Sequence, residues 1–429
     1  MTETTTKEPP TGRAKLKSIG PGILAAAAGV GSGDLIATMV AGAEYGTVLL
    51  WAALLGTVLK LALGEGAGRW HLATGTTLLD GWRRLGYWAT CFFGGYIVIW
   101  GFVYGATAMS AVGLPLNALF GGLAVREWAM IAGVVGVVLV WFQRYHVFEK
   151  FIAVLVAFKF VAVVSIAIIV GPDFVALLKG LTFQLPSGST VYVLGLIGGV
   201  GGTITMAAYG YWAFAKGWKG VRWLPMMRLD NAVGYIMTGI FVIAMLIIGS
   251  TILFGQNLTE SDTGLLVLGD ALGERYGQWA RLLFLVGFLA VTTSALFGVW
   301  NGVSLLFADW TRTIRLPHGR RAESAAEQTS RYQPGEAERS TPFRGYLLWL
   351  TFPPMVLLFL DKPFGLTLVY GVLGSVFMPF LAITLMLLLN SKRVEAGGRS
   401  GWLSNTLLGA SSALFLVLLV TDLIDRFGG

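Results

Sequence analysis

IGPGILAAAAGVGSGDLIATMVAGAEYG occupies residues 19–46, and VYVLGLIGGVGGTITMAAYGYW occupies residues 191–212. Each is long and apolar enough to cross a hydrocarbon layer of ~30 Å, which takes ~20 helical residues. Each also carries, at its midpoint, a cluster ill suited to continuous helix: GVGSGD in the first and GGVGGTIT in the second. Glycine costs a helix interior ~1 kcal/mol relative to alanine. An acid at mid-span costs a further ~2.5–3.5 kcal/mol on insertion scales. Backbone groups freed inside hydrocarbon must be satisfied by protein, water or a ligand. Two broken helices are therefore expected. Close packing through small residues is the competing reading, and Gly195, Gly199 and Gly202 fit that as well.

Outward from these segments the chain reads as eleven apolar spans, at about 19–45, 47–66, 88–113, 127–143, 148–170, 191–215, 231–254, 281–308, 345–360, 364–389 and 402–424. Of the 429 residues 55% are apolar and 13% charged, against roughly 45–50% and 25% in soluble proteins. Mean hydropathy is +0.71. These figures exclude a soluble globular protein, a disordered chain and a coiled coil, and a lone cysteine, Cys91, excludes a disulfide scaffold. An all-α polytopic membrane protein remains, with the lipid bilayer as its surroundings.

The net charge of +8 follows the spans. With the N-terminus in the cytoplasm, the six inner segments hold 23 Lys and Arg, the outer segments hold six, and Lys60 and Lys159 fall within spans. That is the positive-inside pattern, so a nucleic-acid partner is not expected. The C-terminus is then outside, and the plasma (inner) membrane is the expected location. Met1 to Lys17 is polar and lacks a signal-peptide core, so the first span is expected to direct insertion. Spans 1 and 6 lie five spans apart and run in opposite directions. Two five-helix units of opposite topology, each opening on an interrupted helix, form the inverted repeat of secondary transporters, with the substrate at the midplane between the breaks. The expected organisation is a tail at 1–18, a first repeat at 19–170, a second at 191–390 containing a flexible loop at 311–343, and an extra helix with the C-terminus at 402–429.

GPGILAAAAGVGSGDLIATMVAGAEYG (20–46) resembles the first helix of the natural resistance-associated macrophage protein (Nramp) family of divalent-metal transporters, in its opening Gly-Pro-Gly and its closing Ala-Gly-Ala-Glu-Tyr-Gly. LLWAALLGTVLKLALGEGAGRWHLATGTTLLDG (49–81) is similar to the family's second helix and following loop, and RYHVFEKFIAVLVAF (144–158) to its fifth. Span 8 and GVLGSVFMPFLAI (371–383) are weaker echoes. The resemblance implies the leucine-transporter type of 5+5 fold, in agreement with the repeat. The metal motif departs from the family's pattern. Where the family has Asp-Pro-Gly-Asn, with its Asp and Asn as metal ligands, this chain has Gly31, Ser32, Gly33 and Asp34. Where it has Met-Pro-His, this chain has Thr205, Met206 and Ala207, and Thr293 stands where a Gln is usual.

Asp34 is the leading candidate as ligand or proton carrier, since an intramembrane acid is a functional-site hypothesis by default. Carbonyls at Gly31 and Gly33, with the hydroxyls of Ser32, Thr203, Thr205 and Thr293, would make a hard oxygen shell suited to Mg²⁺ or Mn²⁺; Met206 would add a soft donor. Asp34 as a simple helix cap is the bland alternative. Lys159, at mid-membrane in span 5, would either oppose a divalent ion or act as a resident cation in place of a coupling ion. It could equally pair with a carbonyl away from the site. Lys60 reads as lying near the inner end of span 2, snorkelled or paired with Glu65.

The three histidines fall in loops, no His–Cys cluster or nucleophilic triad is present, and no cofactor or enzymatic activity is expected. Trp51, Trp70, Trp88, Trp128, Trp310 and Trp402 flank span ends as interfacial belts. The expected function is a secondary-active transporter of a divalent cation, with or without protons. The alternatives are a proton-coupled transporter of a small organic solute such as an amino acid, in which Lys159 takes the cation site, and a non-transporting sensor or scaffold. Gly-Ser-Gly at the first break also resembles the amino acid–polyamine–organocation superfamily, which shares the fold.

Overall fold

The computed structural model describes residues 8–142, 145–199, 202–255, 264–316, 332–360 and 363–427, and these are helical with no strand among them. Nine of the described helices are long and apolar enough to cross a membrane. They are spans 2 (Leu50–Thr74), 3 (Tyr87–Phe120), 4 (Val125–Phe142), 5 (Val147–Val170), 7 (Val221–Ile252), 8 (Gln278–Arg315), 9 (Thr341–Leu360), 10 (Val369–Leu389) and 11 (Trp402–Thr421). The other two are the broken ones. Span 1 consists of half-helices 1a (Pro21–Gly29) and 1b (Ser32–Tyr45), separated by Val30 in extended conformation. Span 6 consists of 6a (Thr190–Gly199), a 3-10 turn (Ile204–Ala208) and 6b (Tyr209–Ala215). Between its halves Gly202 has φ +79°, which favours glycine, and Thr203 (φ −118°, ψ −99°) is also outside helical space.

Several helices outrun their apolar stretches. Span 2 continues to Thr74 rather than stopping at 66, span 7 starts at Leu224 rather than 231, and span 8 runs to Arg315 rather than 308. The added turns are polar, and their charges are paired across the fold. Glu65 receives Arg69 (2.5 Å) and Arg228 (3.0 Å), while Arg312 bridges Asp309 and Asp80, both at 2.6 Å. Hydropathy therefore marks where the hydrocarbon ends and not where the helix ends. Span 9 changes from α to 3-10 winding at Pro353, as a missing amide requires.

The middle of the bundle is formed by spans 3 and 8, whose apolar windows are 78% and 72% buried; spans 4 and 11, at 28% and 24%, lie at its edge. Span 4 exposes Val134, Val135, Val138 and Leu139, and span 5 exposes Val154, Val161 and Ile168. Such apolar surfaces suit the hydrocarbon of a bilayer. Trp88 and Trp402 are exposed at span ends as expected. Trp70, by contrast, is fully buried and donates to the Thr77 carbonyl (2.9 Å), so it belongs to the core. In the segment read as a flexible loop, residues 317–331 lie outside the described residues. Tyr332, just after them, is buried edge-on against Tyr211 of half-helix 6b at 4.9 Å. The long loop between spans 7 and 8 contains a helix, Gly264–Tyr276, tied to span 8 by Asp270–Arg281 at 2.8 Å.

Candidate functional site

The two breaks touch. A Cβ on Gly202 would lie 3.0 Å from the Gly29 Cα at the end of half-helix 1a, and 2.5 Å from Thr205 Oγ1. Gly31, in the first break, faces Ala295 of span 8 and the Tyr104 hydroxyl of span 3, at 3.5 and 3.7 Å from where its Cβ would stand. Span 10 closes the other side, with Gly374 against the Thr203 methyl. Spans 1, 3, 6, 8 and 10 thus converge at the level where the backbone ladders of spans 1 and 6 are interrupted.

Of the residues singled out from sequence, Gly31, Thr203, Thr205 and Met206 are brought to this convergence. Thr203, Thr205 and Met206 are buried, and the Thr203 hydroxyl has no hydrogen-bond partner. The Met206 amide donates to the Thr203 carbonyl (3.2 Å), which tightens the turn. Ser32, Gly33 and Asp34 form the opening of half-helix 1b, and their side chains lie outside the described ones. Thr293 is half-buried, while the next two residues of span 8, Ser294 and Ala295, turn fully inward. Among the described residues no three His, Cys, Asp or Glu side chains cluster as a metal site. Donors here are carbonyls and hydroxyls.

Two ammonium groups reach carbonyls in this region. Lys159 donates to Ser294 Oγ (3.1 Å) and lies 3.5 Å from the Ala26 carbonyl of half-helix 1a. It lines a small, half-open pocket with Ala26, Val30, Val156 and Phe241. Lys60 is fully buried and donates to the carbonyl of Gly202 in the second break. The expectation of a snorkelled or Glu65-paired Lys60 is overturned. Span 2 is 25 residues long, and Lys60 stands near its middle, while Glu65 is taken by the two arginines. The missed signal was a lysine followed by an i,i+4 Glu–Arg pair, which lets the helix extend and moves the lysine inward.

Toward the face that carries most of the lysines and arginines, the basic face, half-helix 1a is held at its start. Asp230 of span 7, fully buried, accepts from the amides of Gly20 (2.8 Å) and Gly22 (2.6 Å) and from the Tyr209 hydroxyl of 6b (2.7 Å). A carboxylate at a helix N-terminus satisfies orphan amides and meets the positive end of the helix dipole. The close approach that permits this needs Gly22, whose Cβ would fall 2.0 Å from the Asp230 carbonyl oxygen. Lys216, at the end of 6b, pairs with Glu149 of span 5 at 2.6 Å. His71, expected in a loop, is buried in the last turn of span 2 with its Nε2 3.1 Å from the Trp218 carbonyl. Beneath the two breaks, therefore, the basic face is closed by polar contacts joining spans 1, 2, 5, 6 and 7.

The family model for natural resistance-associated macrophage protein-like sequences matches residues 22–425. The chain belongs to the Nramp family. It is accordingly an integral membrane transporter protein, and the leucine-transporter type of architecture holds. The divalent metal cation transporter MntH of Bacillus subtilis (strain 168) is 27% identical over 304 residues, 66% of this Nramp chain and 68% of that protein. A manganese transporter from Eremococcus coleocola, crystallised as a point variant, superposes with a TM-score of 0.75 at 16% identity, covering 98% of this chain and 90% of that one. MhsT in complex with L-phenylalanine superposes with a TM-score of 0.52 at 14% identity, covering 96% and 99%. At these identities the two structures bear on the fold alone.

Proposed function

We propose that this Nramp chain carries a divalent metal ion across the plasma membrane by alternating access, with Mg²⁺ and Mn²⁺ favoured. The observation that carries the reading is the contact between the two breaks at Gly202 and Gly29, which brings the interrupted backbones of spans 1 and 6 together. The B. subtilis relative, named for divalent metal cation transport, supports it. The proposed ligands are the Asp34 carboxylate, the Gly31 carbonyl, the Thr205 hydroxyl and Met206. Ser32, Gly33, Thr203 and Thr293 line the path. Asp34 and Lys159 are the groups proposed to handle protons where uptake is coupled. The first five-helix unit runs over 19–170 and the second over 191–390, with span 11 outside the repeat. The basic face is assigned to the cytoplasm, so that a negative interior supplies ~2.3 kcal/mol per charge at 100 mV.

Purified protein in liposomes, with an inside-negative potential, is expected to take up Mn²⁺ or Mg²⁺ saturably, and Asp34→Asn to slow this about tenfold through loss of the hard charged ligand. Uptake no faster than in protein-free vesicles would overturn the reading. The ammoniums of Lys60 and Lys159 at the two breaks favour a second reading, a carboxylate-bearing solute such as an amino acid. The same vesicles loaded with labelled amino acids decide between the two.

A further inference from the structure

The second break releases the Gly202 carbonyl from any helical ladder, deep in the bundle and beside the first break. A backbone carbonyl freed in this way is a preferred ligand of hard cations. It is already occupied, by the Lys60 ammonium. We infer that Lys60 is a resident cation, tethered to span 2, that competes with the transported ion for the Gly202 carbonyl and so sets how tightly the site binds a divalent metal. The inference rests on the metal-transport reading above and deepens it.

Lys60 is held in place by its surroundings. Asn231 Nδ2 of span 7 donates to the Leu61 carbonyl (2.9 Å), fixing span 2 against span 7 one residue beyond the lysine. The seam is tight on both sides: Cβ atoms on Gly64 and Gly239 would lie 2.6 Å from Asn231 Oδ1 and 2.5 Å from Thr57 Oγ1. A lysine ammonium is a compact point charge on a flexible stem, close in behaviour to a bound monovalent ion. For a divalent ion to take the Gly202 oxygen, that charge must leave.

The seam supplies a place for it to go. Asn231 Oδ1 and the Tyr235 hydroxyl are buried, have no hydrogen-bond partner, and both stand beside Gly64, one helical turn from Lys60. Unpaired buried acceptors are uncommon and call for a reason. Here they form a second position for the ammonium when a metal ion holds the first. Residues at i and i+4 are ~5–6 Å apart on a helix, within the reach of the lysine stem.

The test is metal binding by calorimetry and Mn²⁺ uptake in liposomes for wild type, Lys60→Met, Lys60→Arg and Tyr235→Phe. Lys60→Met is expected to tighten Mn²⁺ binding about tenfold by removing a like charge, and Lys60→Arg to leave it near the wild-type value. If Lys60→Met does not fold, Lys60→Gln keeps a donor to Gly202 without the charge and is expected to tighten binding in the same direction. Tyr235→Phe removes no hydrogen bond present in the structure, so a purely packing role predicts no change, whereas the second position predicts binding about threefold weaker. Equal or weaker binding in both neutral Lys60 variants, with wild type still transporting metal, overturns the inference and leaves the transport reading standing. Absence of metal binding in every variant overturns both.

Discussion

Asp230→Ala is expected to reduce substrate uptake to that of empty vesicles and to lower the melting temperature of the purified protein by several degrees. The carboxylate accepts three hydrogen bonds, two from the first turn of half-helix 1a and one from Tyr209. Alanine leaves all three donors buried without that acceptor, at ~1–3 kcal/mol each. Tyr209 keeps the Met227 carbonyl within 3.1 Å, so the loss falls mainly on the two amides of 1a. Asp230→Asn keeps one acceptor oxygen but turns an amino group toward an amide, and it should recover only part of the function. Tyr209→Phe removes a single bond and should be the mildest of the three. Wild-type uptake and melting in Asp230→Ala would show that the start of span 1 is held by other contacts.

Gly202→Ala is expected to slow uptake at least ~30-fold, equivalent to ~2 kcal/mol in the barrier, while the protein remains folded. At φ +79° a Cβ costs ~1–2 kcal/mol before any contact is counted. The contact with Thr205 Oγ1 at 2.5 Å can be relieved by turning the hydroxyl, but the contact with Gly29 Cα at 3.0 Å cannot, because Gly29 Cα is backbone and the new Cβ has no rotamer to change. The second break must then back away from half-helix 1a, and donors from the two halves no longer face one space. Gly409→Ala, with nothing within 4 Å, is the control and should transport normally. Equal initial rates for the two variants would show that the breaks need not touch for transport.

The spans, their number and the two interruptions were legible in sequence because each depends on local composition: long apolar runs, and glycine clusters placed where hydrocarbon tolerates them least. What escaped depends on pairing across the fold. Asp230 reads as part of a basic loop ahead of span 7. It is buried because span 7 starts at Leu224, seven residues before 231, and brings it beneath half-helix 1a. Lys60 reads as peripheral because the apolar run of span 2 ends at 66. Its true depth depends on Arg228, distant in sequence, helping to neutralise Glu65. Periodicity within one helix contains neither fact. Thr293 and Ser294 show the same limit on a finer scale: adjacent hydroxyl residues differ by 100° of helix rotation, and Ser294 is the one that meets Lys159.

Half-helix 1a is a short lever. Its nine residues, at 1.5 Å each, make a rod about 13 Å long, with its fulcrum at the extended Val30 and its free end under Asp230. A tilt of only about 10° about that fulcrum carries the far end through roughly 2 Å, comparable to the 2.6–2.8 Å amide contacts that hold it. The latch therefore has almost no elastic range: 1a is either seated on span 7 or released from it. The opening of the basic face should accordingly behave as a switch with two positions rather than as a graded widening.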